Sequence, residues 1–489
     1  MAAGMRDTQF GKLVRLSTGR KWLRYPDEID LSLWTASMEH STTSRKQDES
    51  VIELQHQHIG VEGREKPALL VSWYESDDAE NPQNWSPTWK LFVCFQICLL
   101  NFAFYIASSI YTPGEQAVMK DFGVSEIEAT LGLSLFTLGY GLGPMLWSPL
   151  SEIPSVGRND IYFFTSLTFA LLQLPTGFAI DLPMFLVFRL LAGFVGCPAL
   201  ATGAATIMDM YGPAGSAIGI SFLGFFGVCG PVFGPILGGF SAQARGWRIC
   251  IWIVAWLGAF VTLMIFFCLP ETAASTILYR RAKRLRKATD DERIRSQSEL
   301  DAANYTVQDH LLLLSRAFTL TFSEPIVFAL DLYTALLYGL LFIWFESFPL
   351  VFGDIYHFNL GQQGLVFLGI FTGGVVTLPF FLLRIQRGVV PRLTDPQIVF
   401  RPEMVLPPTF FGSACLPVCL LLFGWSARQS VHWMVPVVGS SFFTVSIITL
   451  FNPVLNYLGI TYPHNAASIF AGNALFRASF GAIFPLFVS

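Results

Sequence analysis

Four ionisable side chains stand inside apolar stretches long enough to cross a bilayer: Arg189 within FRLLAGFVG, Asp331 and Glu346 in one stretch, and Arg477. A charge near the centre of hydrocarbon costs about 2.5–3.5 kcal/mol even on insertion-based scales, so each asks for a purpose. Groups of this kind face the interior of a helical bundle or a water-filled cavity, where a charge finds partners. Along a helix, Asp331, Ala335, Tyr338, Phe342 and Phe345 follow one face, with Glu346 beside it. Acid alternating with aromatic groups suits a wet cavity that accepts a bulky organic molecule. Tyr105, Tyr333, Tyr338, Phe342 and Phe345 offer flat surfaces to aromatic rings and, through their ring faces, to cations. The competing reading is that Arg189 and Glu346 snorkel to an interface and that Asp331 lies close to one.

Two further constellations carry a mechanical rather than a chemical signal. In SPLSEIPSVGRND, Glu152 and Arg158 share one short loop. A carboxylate there can cap the N-terminus of a helix from the opposite half of the molecule, held by the guanidinium, in a latch that forms in one conformation and breaks in another. The bland alternative is a loop ion pair contributing under about 1 kcal/mol. In GFFGVCGPVFGPILGGF, Gly230, Pro231, Gly234, Pro235, Gly238 and Gly239 crowd one apolar stretch. Each proline removes a helical hydrogen bond, and small residues at this spacing let another helix approach closely. The pattern describes a bent, tightly packed helix at a moving interface.

The elements that position these residues follow from composition. Of 489 residues, 53% are hydrophobic, 15% aromatic and 13% charged, against about 25% charged in a soluble domain. Runs near 20 residues, enough for about 30 Å of hydrocarbon, occur at 89–112, 127–148, 160–180, 183–208, 216–241, 248–269, 325–352, 362–383, 405–424, 433–457 and 465–488. That division predicts a tail over 1–88, mostly disordered, a six-span bundle over 89–269, a connector over 270–323 and a five-span bundle over 324–489. Lys and Arg counts in the short loops place the N-terminus in the cytosol, with Arg245 and Arg248 as misfits. The connector carries Arg280, Arg281, Lys283, Arg284, Arg286 and Lys287, a retention signal for orientation or a contact with anionic lipid. Near the N-terminus, Phe10, Leu13, Val14 and Leu16 recur at helical spacing, as a helix lying on a membrane surface or a nascent helix in a disordered tail. The net charge of −4 gives no sign of a nucleic-acid partner, and none of the eight cysteines has zinc-site spacing, so no metal is expected. HExxH, GxSxG and phosphate-cradling loops are absent, which argues against an enzyme.

With these residues located, the chain resembles the major facilitator superfamily, and within it the fungal multidrug:proton antiporters of the twelve-span, benomyl/methotrexate-resistance branch. SPLSEIPSVGRN is similar to that family's loop motif, with Ser148 for glycine, Glu152 for aspartate and Asn159 for a second basic residue. Arg189 with Gly193 resembles its fourth-span motif, and Gly230 with Gly234, Pro235, Gly238 and Gly239 its fifth-span antiporter motif. ENPQNWS and NYLGITYPHNAASIFAGNALFR are similar to the same group. The resemblance implies an all-α polytopic membrane protein of two pseudo-symmetric bundles. Eleven spans are visible, and the expected twelfth appears missing. It implies proton-coupled export of small amphipathic or aromatic drugs, fungicides or toxic metabolites from a plasma membrane, by a monomer using the proton gradient and no cofactor. Arg189 is then expected beside the proton path, with Glu346 or Asp331 as proton carrier, and the partners are protons, lipids and small molecules. A transporter of one metabolite, such as a polyamine or a secondary metabolite, and an inactive truncated member are the alternatives.

Overall fold

A computed structural model describes residues 6–30, 32, 34, 69–303, 319, 321–394, 401–462 and 466–487. Helix α1 is Gln9–Ser17. The first bundle contains α2 (Pro87–Ser109), α3 (Glu126–Glu152), α4 (Arg158–Gly177), α5 (Leu182–Val195), α6 (Pro198–Arg245) and α7 (Arg248–Cys268). Helix α8 (Ala274–Thr289) starts the connector. The second bundle contains α9 (Pro325–Phe348), α10 (Leu360–Val366), α11 (Leu368–Arg384), α12 (Pro408–Ser426), α13 (Met434–Thr461) and α14 (Ala466–Ile483). Ten stretches among the described residues are long and apolar enough to cross a membrane. Helix α4, 20 residues long, is packed among them against α5 and α7.

Start signals in the sequence set these helices. Ser86 caps α2 with Pro87 at its first position, Ser125 and Glu128 form a reciprocal cap on α3, and Asp181 accepts from Met184 N at 2.9 Å at the start of α5. Helix α6 is two antiparallel arms broken at Gly212, whose φ of 68° and ψ of 178° suit glycine alone. Within the first bundle α2 packs on α6, α3 on α5 and α4 on α7; within the second, α12 and α11 pack on α13 and α9 on α14. The bundles meet along two seams, α3 against α14 and α6 against α10.

At one end of the bundles, here the connector end, the N-terminal segment is docked rather than loose. Phe10 packs on Phe266 and Phe267, with ring centroids 6.0 and 5.2 Å away, while Lys12 pairs with Asp160 and Arg15 with Glu28. The apolar stripe read as lipid-seeking therefore divides: Phe10 meets protein, while Leu13 and Leu16 stay exposed. The basic cluster is likewise occupied from within the chain. Arg281, fully buried, reaches Asp78 at 2.8 Å and Glu80 at 3.0 Å, and Arg284 reaches Asp27 at 3.0 Å while lying 3.6 Å over the Tyr25 ring. A two-stranded parallel sheet, β1 (Leu69–Val71) with β2 (Ile294–Ser296), ties the same two segments together.

This ionic cap has a pH signature. Burial raises the Asp27 carboxyl above its ordinary range despite Arg284. Burial also acts on Asp78, but there the hydrogen bond and charge of Arg281 prevail and hold the carboxyl below that range. A lowered carboxyl stabilises the docked state at neutral pH and loses that contribution only as pH falls through its folded value. On acidification Asp27 is therefore protonated first. Because the docked Asp27 takes up its proton more readily than a free carboxyl, that protonation does not release Tyr25–Ile29, whereas protonation of Asp78 removes its contribution to docking. Hydrogen exchange should therefore rise around Leu69–Glu80 only as pH falls through the lowered Asp78 value; release of Tyr25–Ile29 at the higher pH where Asp27 is protonated would contradict this order.

Candidate functional site

Arg189 is 1% exposed and its guanidinium is held by backbone carbonyls alone. Nε donates to Gly132 O at 2.9 Å, Nη1 to Ala107 O at 2.7 Å and Nη2 to Ser108 O at 3.2 Å. Ala107 and Ser108 belong to the last turn of α2, where carbonyls lack helical partners and carry the negative end of the helix dipole. The Phe136 ring lies 4.5 Å from the guanidinium carbon and Tyr111 5.5 Å. The snorkelling reading is thereby overturned: Arg189 points inward and pins α5 to α2 and α3. It makes no ion pair with a carboxylate among the described residues, and neither Glu346 nor Asp331 touches it.

The two acids of α9 serve different places. Asp331 is fully buried; its Oδ1 accepts from Asn473 Nδ2 at 2.8 Å, and the same amide donates to Thr334 Oγ1 at 2.8 Å. Glu346 lies at the far end, 9% exposed, with Oε1 unpartnered. There it shares an electrostatic neighbourhood with Glu115, which is equally buried and also leaves its Oε1 unpartnered. Sequence reasoning found no acid in the first bundle for this role because Glu115 follows the apolar run 89–112; its signal was TPGE, a turn leading back under the bundle.

Between the bundles is a cavity of about 440 Å³. It reaches the connector end, where Arg384 and Arg392 are exposed, and is lined by Tyr105 and Tyr338 as expected. The other three aromatic residues proposed for it lie elsewhere. Phe342 and Phe345 are buried above it, Tyr338 to Phe342 at 5.1 Å and Phe342 to Phe345 at 5.3 Å, and Phe345 stacks on Phe367. Tyr333 turns to α12, its hydroxyl 3.4 Å from Ser413 Oγ. The face of α9 that lines the cavity is Thr334, Leu337, Tyr338 and Leu341, a helical i, i+3, i+4, i+7 set rotated from the predicted one. Phe342 and Phe345 serve as the seal toward the far end.

The seal continues along α6. Gly230, Gly234 and Gly238 abut α2, where a side chain would strike Tyr105, Ser109 and Ile110 respectively. Pro235 lacks the N–H that would reach the Pro231 carbonyl, and Ser109 Oγ donates to that carbonyl instead at 2.9 Å. Gly239 faces the other way: a side chain there would collide with the Leu360 carbonyl of α10, and opposite it Gly364 leaves room for the Pro235 carbonyl. The glycine and proline pattern thus serves two interfaces, α2–α6 within a bundle and α6–α10 between bundles.

The loop pair needs correction. Glu152, the last residue of α3, is exposed, and no ion pair joins it to Arg158 among the described residues. Arg158 Nη1 instead pairs with Asp209 at 2.9 Å, and the carboxylate that caps the N-terminus of α4 is buried Glu271, which accepts from Arg158 N at 3.1 Å. Both partners come from distant sequence; Glu152 feels the Arg158 charge but makes no ion pair with it among the described residues. The loop misfit Arg248 is paired with Asp121 at 2.7 Å. No group of three or more metal-ligating side chains occurs among the described residues.

Residues 97–485 match the sequence profile of the Major Facilitator Superfamily. The chain belongs to this family. It is 38% identical to Transporter mfs1 of Schizosaccharomyces pombe, over 99% of this chain and 90% of that protein. It is 36% identical to the Cycloheximide resistance protein of Candida maltosa, over 100% of this chain and 91% of that one. With Fluconazole resistance protein 1 of Saccharomyces cerevisiae the identity is 39%, over 85% of this chain and 76% of the relative. The fold is similar to that of the proton:xylose symporter XylE, with a TM-score of 0.55 at 16% identity over 83% of this chain and 88% of that one. It is similar also to the human organic anion transporter MFSD10, with a TM-score of 0.54 at 18% identity over 82% of this chain and 93% of that one. The two-bundle architecture is that of the family, and it places the cavity where the bundles face each other.

Proposed function

We propose that this chain is a proton-driven exporter of small, largely apolar drugs or toxic metabolites across a fungal plasma membrane, with its connector end in the cytosol. The observation that carries the reading is the cavity itself: mostly apolar, set between two bundles, reaching the connector end and sealed above by aromatic rings and a glycine-lined seam. Such a site takes cargo from one side only in this conformation, and rocking the bundles about it would present the cargo to the other side. The proton gradient is then the sole energy source, with no cofactor. Arg189 sits among the groups that set the charge balance at the far end, and Glu346, Glu115 and Asp331 are the enclosed acids able to carry H⁺.

Similarity to proteins named for cycloheximide and fluconazole resistance supports these two compounds as first probes. Yeast stripped of its own pumps and expressing this chain should grow at about tenfold higher cycloheximide or fluconazole. An uncoupler should restore intracellular drug to the level of cells without the chain. Unchanged tolerance to both, with the protein at the cell surface, would contradict the reading.

A further inference from the structure

The cavity was read from sequence as a place where aromatic faces meet aromatic drugs and cations. Its charge points elsewhere. Among the described residues its lining includes Arg384, Arg392 and Arg477 and no carboxylate. Arg384 and Arg392 stand at the open end; Arg477 is at depth, 6% exposed, on α14. Its guanidinium carbon lies 4.6 Å from the centre of the Phe451 ring and 5.4 Å from that of Tyr338, and its Nε is buried without a hydrogen-bond partner. It makes no ion pair among the described residues; Asp331 acts on it only across a gap, its Oδ1 already occupied by Asn473. Nearby, the Asn452 amide also lines the cavity and leaves its oxygen unpartnered. A buried guanidinium left short of acceptors carries a large desolvation penalty, and a ligand acceptor arriving at its edge removes that penalty. A ligand ammonium arriving there meets a like charge at low dielectric.

We propose that Arg477 is the polar anchor of the cargo site and that it takes a carbonyl or carboxylate on an otherwise apolar, ring-bearing molecule, so that the exporter selects neutral or anionic cargo and disfavours cations. The ring of the cargo stacks beside Tyr338 and Tyr105, and the acceptor group lies in the plane of the guanidinium, where the N–H donors are. This deepens the exporter reading and rests on it.

The test uses three probes with one ring system: 2-naphthoate, 2-naphthamide and 2-naphthylmethylammonium, titrated into the purified full-length chain in detergent and followed by tryptophan fluorescence. Naphthoate and naphthamide should bind at least about tenfold more tightly than the ammonium. Arg477→Gln should weaken naphthoate about tenfold or more and the ammonium less than threefold, and Arg477→Lys should keep the order of the three with reduced affinity. The wild-type order stands as a test even where Arg477→Gln fails to fold. Ammonium binding as tight as naphthoate, absence of naphthoate and naphthamide binding, or naphthoate affinity unchanged in Arg477→Gln would overturn the proposal. Cells protected from cycloheximide alongside a reversed probe order would sink this inference alone. An intact probe order without protection in cells would sink the transport reading alone.

Discussion

Arg189→Ala is expected to lower proton-driven drug export about a hundredfold or more. The substitution strands the carbonyls of Ala107, Ser108 and Gly132 in a dry interior, at about 1–3 kcal/mol for each unsatisfied group, and about 1.4 kcal/mol is a factor of ten. It also deletes the positive charge that Glu115 feels from across the first bundle. Arg189→Lys keeps a charge but offers a compact ammonium where a planar fork spans three acceptors, so it should recover a minor part of the rate. Exchange of labelled for unlabelled drug without a pH gradient separates two roles. If Arg189 tunes the proton step, exchange in Arg189→Lys survives better than gradient-driven export. If it only pins α5 to α2 and α3, both fall together with thermal stability. Export at the wild-type rate in Arg189→Ala would remove the residue from the mechanism.

Gly364→Val should hold the far end open. A Cβ at Gly364 lies 2.5 Å from the Pro235 carbonyl oxygen and 3.0 Å from Ile236 Cα. Both obstacles are backbone, and the proline at 235 stiffens one of them, so neither bundle yields cheaply. A clash of about 3 kcal/mol confined to the closed seam shifts the conformational balance by roughly a hundredfold, because the open state never makes that contact. Spin labels on K120C, exposed on the short helix Glu115–Phe122, and on R428C, in an exposed loop, should move apart in Gly364→Val, and export should fall about tenfold or more. An unchanged label distance would mean that the α6–α10 seam is not what closes this end.

What the sequence reveals of the fold and the site depends on the kind of signal involved. The apolar runs and caps set the rods, because hydrocarbon thickness fixes helix length whatever the partners. Arg189 was legible as an inward group from its penalty alone; its actual partners were not, since backbone carbonyls leave no mark in a residue pattern. The glycine and proline run was legible as close packing, but only the fold separates Gly239, which faces α10, from Gly238, which faces α2. The cavity face of α9 was misplaced because all its faces are apolar or aromatic, so periodicity gave little to choose between them. Arg477 was noticed as an odd charge yet assigned no role, and its place beside Tyr338 depends on α14 crossing α9. Asp209 and Glu271 were missed as partners of Arg158 for the same reason: ion pairs across long sequence separations are set by the fold. The docked N-terminal segment shows the opposite error, since polar composition reads as disorder until buried arginines are found waiting for its carboxylates.

The exchange of protons for drug is measured most directly in proteoliposomes holding the purified chain, a trapped pH-sensitive dye and a pH gradient. Cycloheximide should accumulate against its own gradient while the dye reports dissipation of ΔpH, and with no gradient imposed a drug pulse should drive protons the opposite way. Drug flux of equal size with ΔpH intact and with ΔpH collapsed by an uncoupler, and no dye response to the drug, would contradict proton-driven export by this chain.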